Sequence, residues 1–346
     1  MIACFFLNST KVFSQTFEFK VDSLLTDTYQ SNVPGATFLI AEKGNVIYQK
    51  AFGLSNLELK TPMKIDQVFE LGSITKQFTA IAVLMLVEKG KLDLSDTLNK
   101  FILDYPNGKK ITIHHLLTHT SGIKNFTSVK GLNKIEKEDI TPEELINFFK
   151  NEPMDFAPGE AFKYSNSGYV LLGYIIEQVT GEKYSDFIDQ HIFKTLGMTN
   201  SYYGSNRDVI ENRASGYSKK NGEYKNNRYI SFNIPYAAGS LMSTTEDMFK
   251  WQKAITNNLL IKQKTAQNAF TNYTLSTNKH INYGYGWHIK TIDGKQSFEH
   301  GGSIMGFKSM GVYLPESDIY IIGLSNCDCN SPTKVVKEIA GLAINK

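Results

Sequence analysis

Cysteine is scarce in this chain: three in 346 residues, too few for a disulfide framework. Cys327-Asp-Cys329 lacks the two-residue spacing of a redox or metal-binding pair, and on a strand its side chains would face opposite ways, so both are expected to be packing residues. Excess charge of one sign is also missing. Lys plus Arg exceed Asp plus Glu by only 37 − 34 = 3, and no basic run occurs, which argues against a nucleic-acid-binding face. Long apolar runs are absent too. The longest, such as Tyr169–Ile176 and Ile81–Val87, reach half or less of the ~18 residues a membrane-spanning helix needs, so no transmembrane segment is expected. There is no internal repeat and no low-complexity tract. What remains is a globular composition, 41% apolar and 21% charged, which excludes wholesale disorder, collagen and coiled coil. The 22 Phe and 18 Tyr suffice for a large core and a lined cleft. The length suits one large α/β domain or two lobes sharing a core.

The first residues carry a separate expectation. Met1–Leu7 is a short apolar stretch, and Phe13-Ser14-Gln15 could precede a cleavage point, although no basic residues lead it. Residues 1–15 are therefore read as a possible signal segment, and 16–346 as a mature chain placed in the periplasm or secreted.

Hydrophobic periodicity predicts a helix over 17–31, then two strands, Ala36–Glu42 and Asn45–Phe52, joined by a Lys43-Gly44 turn. A strong helix is expected over Ser73–Lys89, stopped by Gly90. The chain then reads as helical to about residue 200. Thr141-Pro142-Glu143-Glu144 has the residues of a capping box, and Asn166–Thr180 ends at Gly181. Strands are expected again at Tyr283–Lys290, Gln296–Glu299, Gly306–Leu314 and Ile319–Ser325, with a last helix over Pro332–Ile344. Asn221–Arg228 reads as a polar surface loop. A sheet drawing strands from both chain ends, with helices inserted between, makes a cleft where a site would lie.

Ser-x-x-Lys occurs four times, at Ser73, Ser121, Ser276 and Ser331. Only Ser73 opens a long apolar helix. There Lys76 lies nearly one turn on, on the same face, and free backbone N–H groups surround the hydroxyl. Burial would lower the lysine pKa and make it a base; on these residues alone, a serine cap with a snorkelling lysine fits equally well. Tyr-x-Asn occurs at Tyr105, Tyr164 and Tyr224. Tyr164-Ser-Asn166 stands at a loop-to-helix joint, where a phenol beside an ammonium would have a lowered pKa; taken alone, the motif fits a structural tyrosine better. Glu299-His300-Gly301-Gly302-Ser303 allows close approach of a ligand, and a backbone N–H there, that of Ser303, could face a developing oxyanion together with the N–H of Ser73.

In the order Ser73-x-x-Lys76, Tyr164-x-Asn166, His300-Gly301-Gly302, the chain resembles the serine penicillin-recognising family: class C β-lactamases, D-Ala-D-Ala carboxypeptidases and related serine esterases. Glu70-Leu-Gly-Ser-Ile-Thr-Lys76, Ile113-His-His-Leu-Leu-Thr-His-Thr-Ser-Gly122, Tyr164-Ser-Asn-Ser-Gly-Tyr-Val-Leu-Leu-Gly173 and Ala238-Gly-Ser-Leu-Met-Ser-Thr-Thr-Glu-Asp247 extend the likeness over nearly the whole chain. The resemblance implies an α/β (α+β) fold, with an antiparallel sheet flanked by helices in a lobe of about 16–80 and 236–346, and a mainly helical lobe of about 81–235. It implies Ser73 as acylated nucleophile, Lys76 as its base, Tyr164 as acid/base partner and Asn166 as a ligand of the substrate amide. His300, Gly301, Gly302 and Ser303 would shape the substrate and oxyanion site.

No metal and no cofactor is expected, and His114, His115 and His119 read as structural. The substrate would be a small ester, amide or D-amino-acid peptide, and the chain a monomer or weak oligomer. One departure matters. The family's β-lactamases carry Lys-Thr-Gly where this chain has His300-Gly301-Gly302. A histidine of ordinary pKa, ~6.5, is mostly neutral at pH 7 and would gain charge only toward pH 6. The swap disfavours efficient β-lactam hydrolysis and favours an esterase or peptidase. A true class C-like β-lactamase, or a penicillin-binding sensor that does not turn over, is the alternative.

Overall fold

The computed structural model describes the backbone from residue 6 to 346 and side chains from Phe17 onward. The first five residues of the expected signal segment lie outside the described residues. The chain starts with helix α1 (Phe6–Thr28) and the hairpin β1 (Ala36–Glu42) and β2 (Asn45–Phe52). Lys43 and Gly44 both take positive φ, 50° and 74°, as a two-residue turn that follows the sheet twist requires. Four strands come from the other end of the chain: β3 (His288–Ile292), β4 (Lys295–Ile304), β5 (Phe307–Leu314) and β6 (Ile319–Ser325). They form one sheet in the order β3-β4-β5-β6-β1-β2, antiparallel throughout.

Both faces of this sheet are covered, so β1 and β6 are buried almost without interruption. Phe38, Ile40, Val312 and Ile321 pack with Val21 and Leu25 of α1 and with Val336 and Ile339 of α5 (Thr333–Ile344). Leu39, Ile322 and Leu324 join the larger core on the other face, with Phe78 of α2 (Thr75–Glu88) and Trp251 of α4 (Thr245–Thr256). Phe78 and Trp251 stack at 3.9 Å between ring centroids. Between the two halves of the sheet lies a helical stretch that includes Ile113–Leu117, Pro142–Phe149 and α3 (Asn166–Thr180). Thr141 and Glu144 make the expected capping box, and Gly181 closes α3 in the left-handed conformation.

Several expectations are corrected. The first helix ends at Thr28, and α2 is preceded by a 3-10 turn, Gly72–Ile74, that holds Ser73. Tyr283–Lys290 is a strand only from His288. Before it, Asn282 and Gly286 take positive φ (54° and 87°), which breaks strand geometry and brings Gly286 against the backbone of Lys76 and Gln77. Asn221–Arg228 is no plain loop, since Tyr217–Lys220 and Glu223–Asn226 pair as a hairpin. Cys327 and Cys329 lie in a turn beyond the end of β6, where their side chains are free to converge, and they form a disulfide with each other. Finally, β4 runs on to Ile304, so His300-Gly-Gly-Ser lies inside a strand and not after one.

Candidate active site

Ser73 is presented by a tight joint. A small sheet unread in the sequence, in which Leu241–Ser243 lies between Phe69–Glu70 and Tyr202–Tyr203, leads the chain up to Leu71. Gly72 then turns at φ 55°, and a Cβ there would lie 2.9 Å from Ser303 N. Gly302 is pressed still harder: a Cβ would fall 1.9 Å from Leu71 O and 2.2 Å from Ser309 Oγ. Ser309 Oγ donates to Leu71 O at 2.7 Å and ties β5 to the same joint. The last pairing of β3 with β4 is His288 with Glu299. From His300 onward the β4 edge away from β5 has no strand partner, and its Ser303 N–H stands beside the Gly72–Ser73 step. Two backbone donors at such a spot can hold an oxyanion.

Lys76, in the first turn of α2, is fully buried. Its Nζ lies 2.8 Å from Asn166 Oδ1, 2.8 Å from Ala238 O and 3.1 Å from Ser73 Oγ. Desolvation pushes its pKa well below the ordinary lysine value. A neutral amine has two N–H donors and one lone pair. In that form, with Asn166 Oδ1 and the Ala238 carbonyl taking the two donors, the lone pair would face the Ser73 hydroxyl. The Asn166 amide oxygen thus orients the base, a task not read from the sequence; Asn166 is itself held by its N–H, which donates to Asn125 Oδ1 at 3.2 Å. Ala238 could not have been found by residue type, because only its carbonyl takes part.

Tyr164 leans over this amine, with Lys76 Nζ 4.8 Å from its ring centroid. Its hydroxyl is buried and without a hydrogen-bond partner of normal geometry among the described residues. Burial raises its pKa above the ordinary tyrosine value, and the nearby Ser73 hydroxyl pulls it partly back. The expected lowering by an ammonium is therefore reversed, because desolvation dominates.

His300 also differs from expectation. It is 2% exposed, and its Nδ1 lies 2.7 Å from Gly301 O, an acceptor, so Nδ1 carries the proton. Tyr283 Oη then donates to Nε2 at 3.2 Å. Both nitrogens are engaged within the protein. Burial, followed by the nearby His288 and Lys76, holds the His300 pKa well below its ordinary value, so it does not gain charge near pH 6. His288, its ring 5.2 Å away, is pushed down to about 4, mainly by burial. One ammonium does reach the open edge: Lys308 Nζ donates to Ser303 Oγ at 2.6 Å.

The other three Ser-x-x-Lys serines, and His114 and His115, have other settings. Ser121 and Ser276 lie in turns, and Ser331 accepts from Thr333 N at 3.4 Å. His115 joins the capping of Ile113–Leu117, and His114 Nδ1 lies 2.8 Å from Tyr285 Oη. Among the described residues no group of three or more His, Cys, Asp or Glu is placed to hold a metal.

A family model described as Beta-lactamase matches residues 15–344. The chain belongs to the beta-lactamase family. It is 30% identical over 305 residues to Penicillin-binding protein 4* of Bacillus subtilis (strain 168), covering 84% of this chain and 67% of that one. It is similar in structure to an octameric penicillin-binding protein homologue from Pyrococcus abyssi, with TM-score 0.81 and 31% identity over 96% of this chain and 77% of the other. A D-stereospecific amidohydrolase from Streptomyces sp. matches with TM-score 0.80 and 26% identity, over 93% and 97%. The antiparallel sheet with helices on both faces is the fold shared with these structures. No helix among the described residues is long and apolar enough to cross a membrane.

Proposed function

We propose that this beta-lactamase-family protein is a serine hydrolase that forms an acyl-enzyme on Ser73 and acts on esters, small amides or D-amino-acid peptides. The observation that carries the reading is the buried Lys76 amine, 3.1 Å from Ser73 Oγ with its two donors already taken. Ser73 Oγ bonds to the substrate carbonyl carbon as its proton passes to Lys76 Nζ. The N–H groups of Ser73 and Ser303 hold the oxyanion. As the carbonyl re-forms, the bond to the leaving group breaks, and the leaving group takes the Tyr164 hydroxyl proton, which Lys76 replaces. Water then repeats the exchange in reverse and frees the acid. Asn166 orients Lys76 and presents its amide nitrogen to the substrate amide.

Hydrolysis of β-lactams is weak at most on this reading. With His300 neutral and internally bonded, the third motif offers no cation to a β-lactam carboxylate, and a charge-assisted bond is roughly twice as strong as a neutral one. Relatives named for penicillin binding and for D-stereospecific amide hydrolysis support the substrate class. The apolar start supports a periplasmic or secreted location, which N-terminal sequencing in the native host tests. We take a monomer or weak oligomer as the working state; sedimentation decides between it and an assembly like the octameric relative.

The central test is a panel of p-nitrophenyl esters, D-aminoacyl amides and nitrocefin, run beside fluorophosphonate labelling. Label is expected on the Ser73 peptide and absent in Ser73→Ala. The ratio of nitrocefin to ester kcat/KM is expected to stay flat between pH 7 and 6. Undiminished labelling in Ser73→Ala, or nitrocefin turnover near ~10⁸ M⁻¹s⁻¹, would overturn the reading.

A further inference from the structure

We propose that His119 is the positioning residue of Tyr164, holding its phenol in line with Ser73 and Lys76; the inference rests on the acyl-enzyme reading above. Tyr164 precedes the first turn of α3, and no hydrogen bond of normal geometry among the described residues fixes its hydroxyl. His119 brackets it on the chain. Lys163 N donates to His119 O at 3.0 Å, and Ser165 N donates to His119 Nδ1 at 3.1 Å. The residues on either side of Tyr164 are thus bound to one histidine, through its backbone and through its ring. The same ring packs on Tyr164 at 4.3 Å between centroids, and on Tyr283 at 4.8 Å and Tyr169 at 5.1 Å.

The histidine keeps this place under constraint. Its φ is 59°, in the left-handed region where histidine, asparagine and aspartate are the commonest residues after glycine. It is 2% exposed, and because Nδ1 accepts, Nε2 must carry the proton. Nε2 finds no acceptor among the described residues. A buried donor without a partner destabilises a fold. Phenylalanine would fill this aromatic cluster without that unpaired donor, although at φ 59° it carries more backbone strain than histidine. What phenylalanine lacks is the Nδ1 acceptor for Ser165 N–H. Burial, with Lys76 and the other histidines nearby, keeps the ring neutral, so the acceptor persists over the working pH range.

Two substitutions separate the roles. His119→Asn tolerates positive φ and places an amide oxygen where Nδ1 was. His119→Phe keeps the ring and removes the acceptor. The reporter is p-nitrophenyl acetate turnover, measured in the wild-type and Tyr164→Phe backgrounds, with melting temperature as a control. His119→Phe is expected to lower kcat about 10- to 100-fold, as a displaced catalytic group does, and to leave KM within about threefold. His119→Asn should recover most of kcat. In the Tyr164→Phe background, His119→Phe should change kcat by less than about threefold, since no hydroxyl remains to be positioned. An equal loss in both backgrounds, or no recovery by His119→Asn in a folded protein, would overturn the proposal. If His119→Phe does not fold, His119→Ala takes its place in the same cycle. Failure of the acyl-enzyme reading shows separately, as turnover that survives in Ser73→Ala.

Discussion

A fully buried lysine opposes folding unless it sheds its proton, and burial pushes the Lys76 pKa well down. Its pKa is lowered, so between the folded value and the ordinary 10.5 the unfolded chain binds more protons than the folded one. Stability from this group therefore rises with pH through that window. Lys76→Met should lower kcat by about 10²–10⁴, and its melting temperature relative to wild type should fall as pH rises from 6 to 10. A difference that stays constant with pH would show that Lys76 is charged in the folded protein. Glu70 works in the opposite sense. Burial pushes it up to about 7, against the pull of Arg213 at 3.1 Å, so the folded state holds a proton that the unfolded state releases near 4.5. Its contribution is complete below pH 4.5 and is lost as pH rises to 7. Glu70→Gln should gain on wild type by about 3 kcal/mol across that interval, as read by urea unfolding at both ends.

The strands and loops that meet at the nucleophile are set by close backbone contact. Gly286 crosses α2 so tightly that a Cβ would lie 2.9 Å from Gln77 Cα and 3.0 Å from Lys76 O, at a φ of 87° that also disfavours any side chain. Gly286→Ala should move the first turn of α2, lowering kcat by about 10²-fold, the scale set by a 1 Å misplacement of a catalytic group. The acylation rate in a stopped-flow burst measures it; an unchanged burst would mean that the loop yields before the helix. The helices were easier to read than these crossings. Asn166–Thr180 and the Thr141 capping box follow from local periodicity and caps, which depend on near neighbours. The end of the strand expected at Tyr283, and the run of β4 through His300, depend on what lies across from them.

Over the whole molecule, one sheet closes the two chain ends together, with β1 between β2 and β6 and with α1 and α5 on one face. Deleting residues 333–346 removes Val336, Ile339 and Ala340 from Phe38, Ile40 and Ile321. The truncated chain is expected to lose its cooperative thermal transition and to bind an apolar dye, because each fully buried aliphatic side chain contributes about 1.5–3 kcal/mol. A truncation that still melts cooperatively near the full-length temperature would show that the sheet stands without α5.

Residue order alone gave strands at both chain ends and the helix behind Ser73, because helix periods and caps are local properties; the antiparallel sheet and the trio Ser73, Lys76 and Tyr164 were expected only from the resemblance to a known family. The protonation states were decided elsewhere. The pKa values of Lys76 and His300 are pushed down and that of Tyr164 up because burial sets the local dielectric, with hydrogen bonds tying Lys76 to Asn166 and Ala238 and His300 to Tyr283 and Gly301. The Ala238 carbonyl, the Ser303 amide beside Gly72 and the His119 bracket around Tyr164 are backbone or cross-chain contacts, which carry no residue-type signature and exist only once the chain has folded.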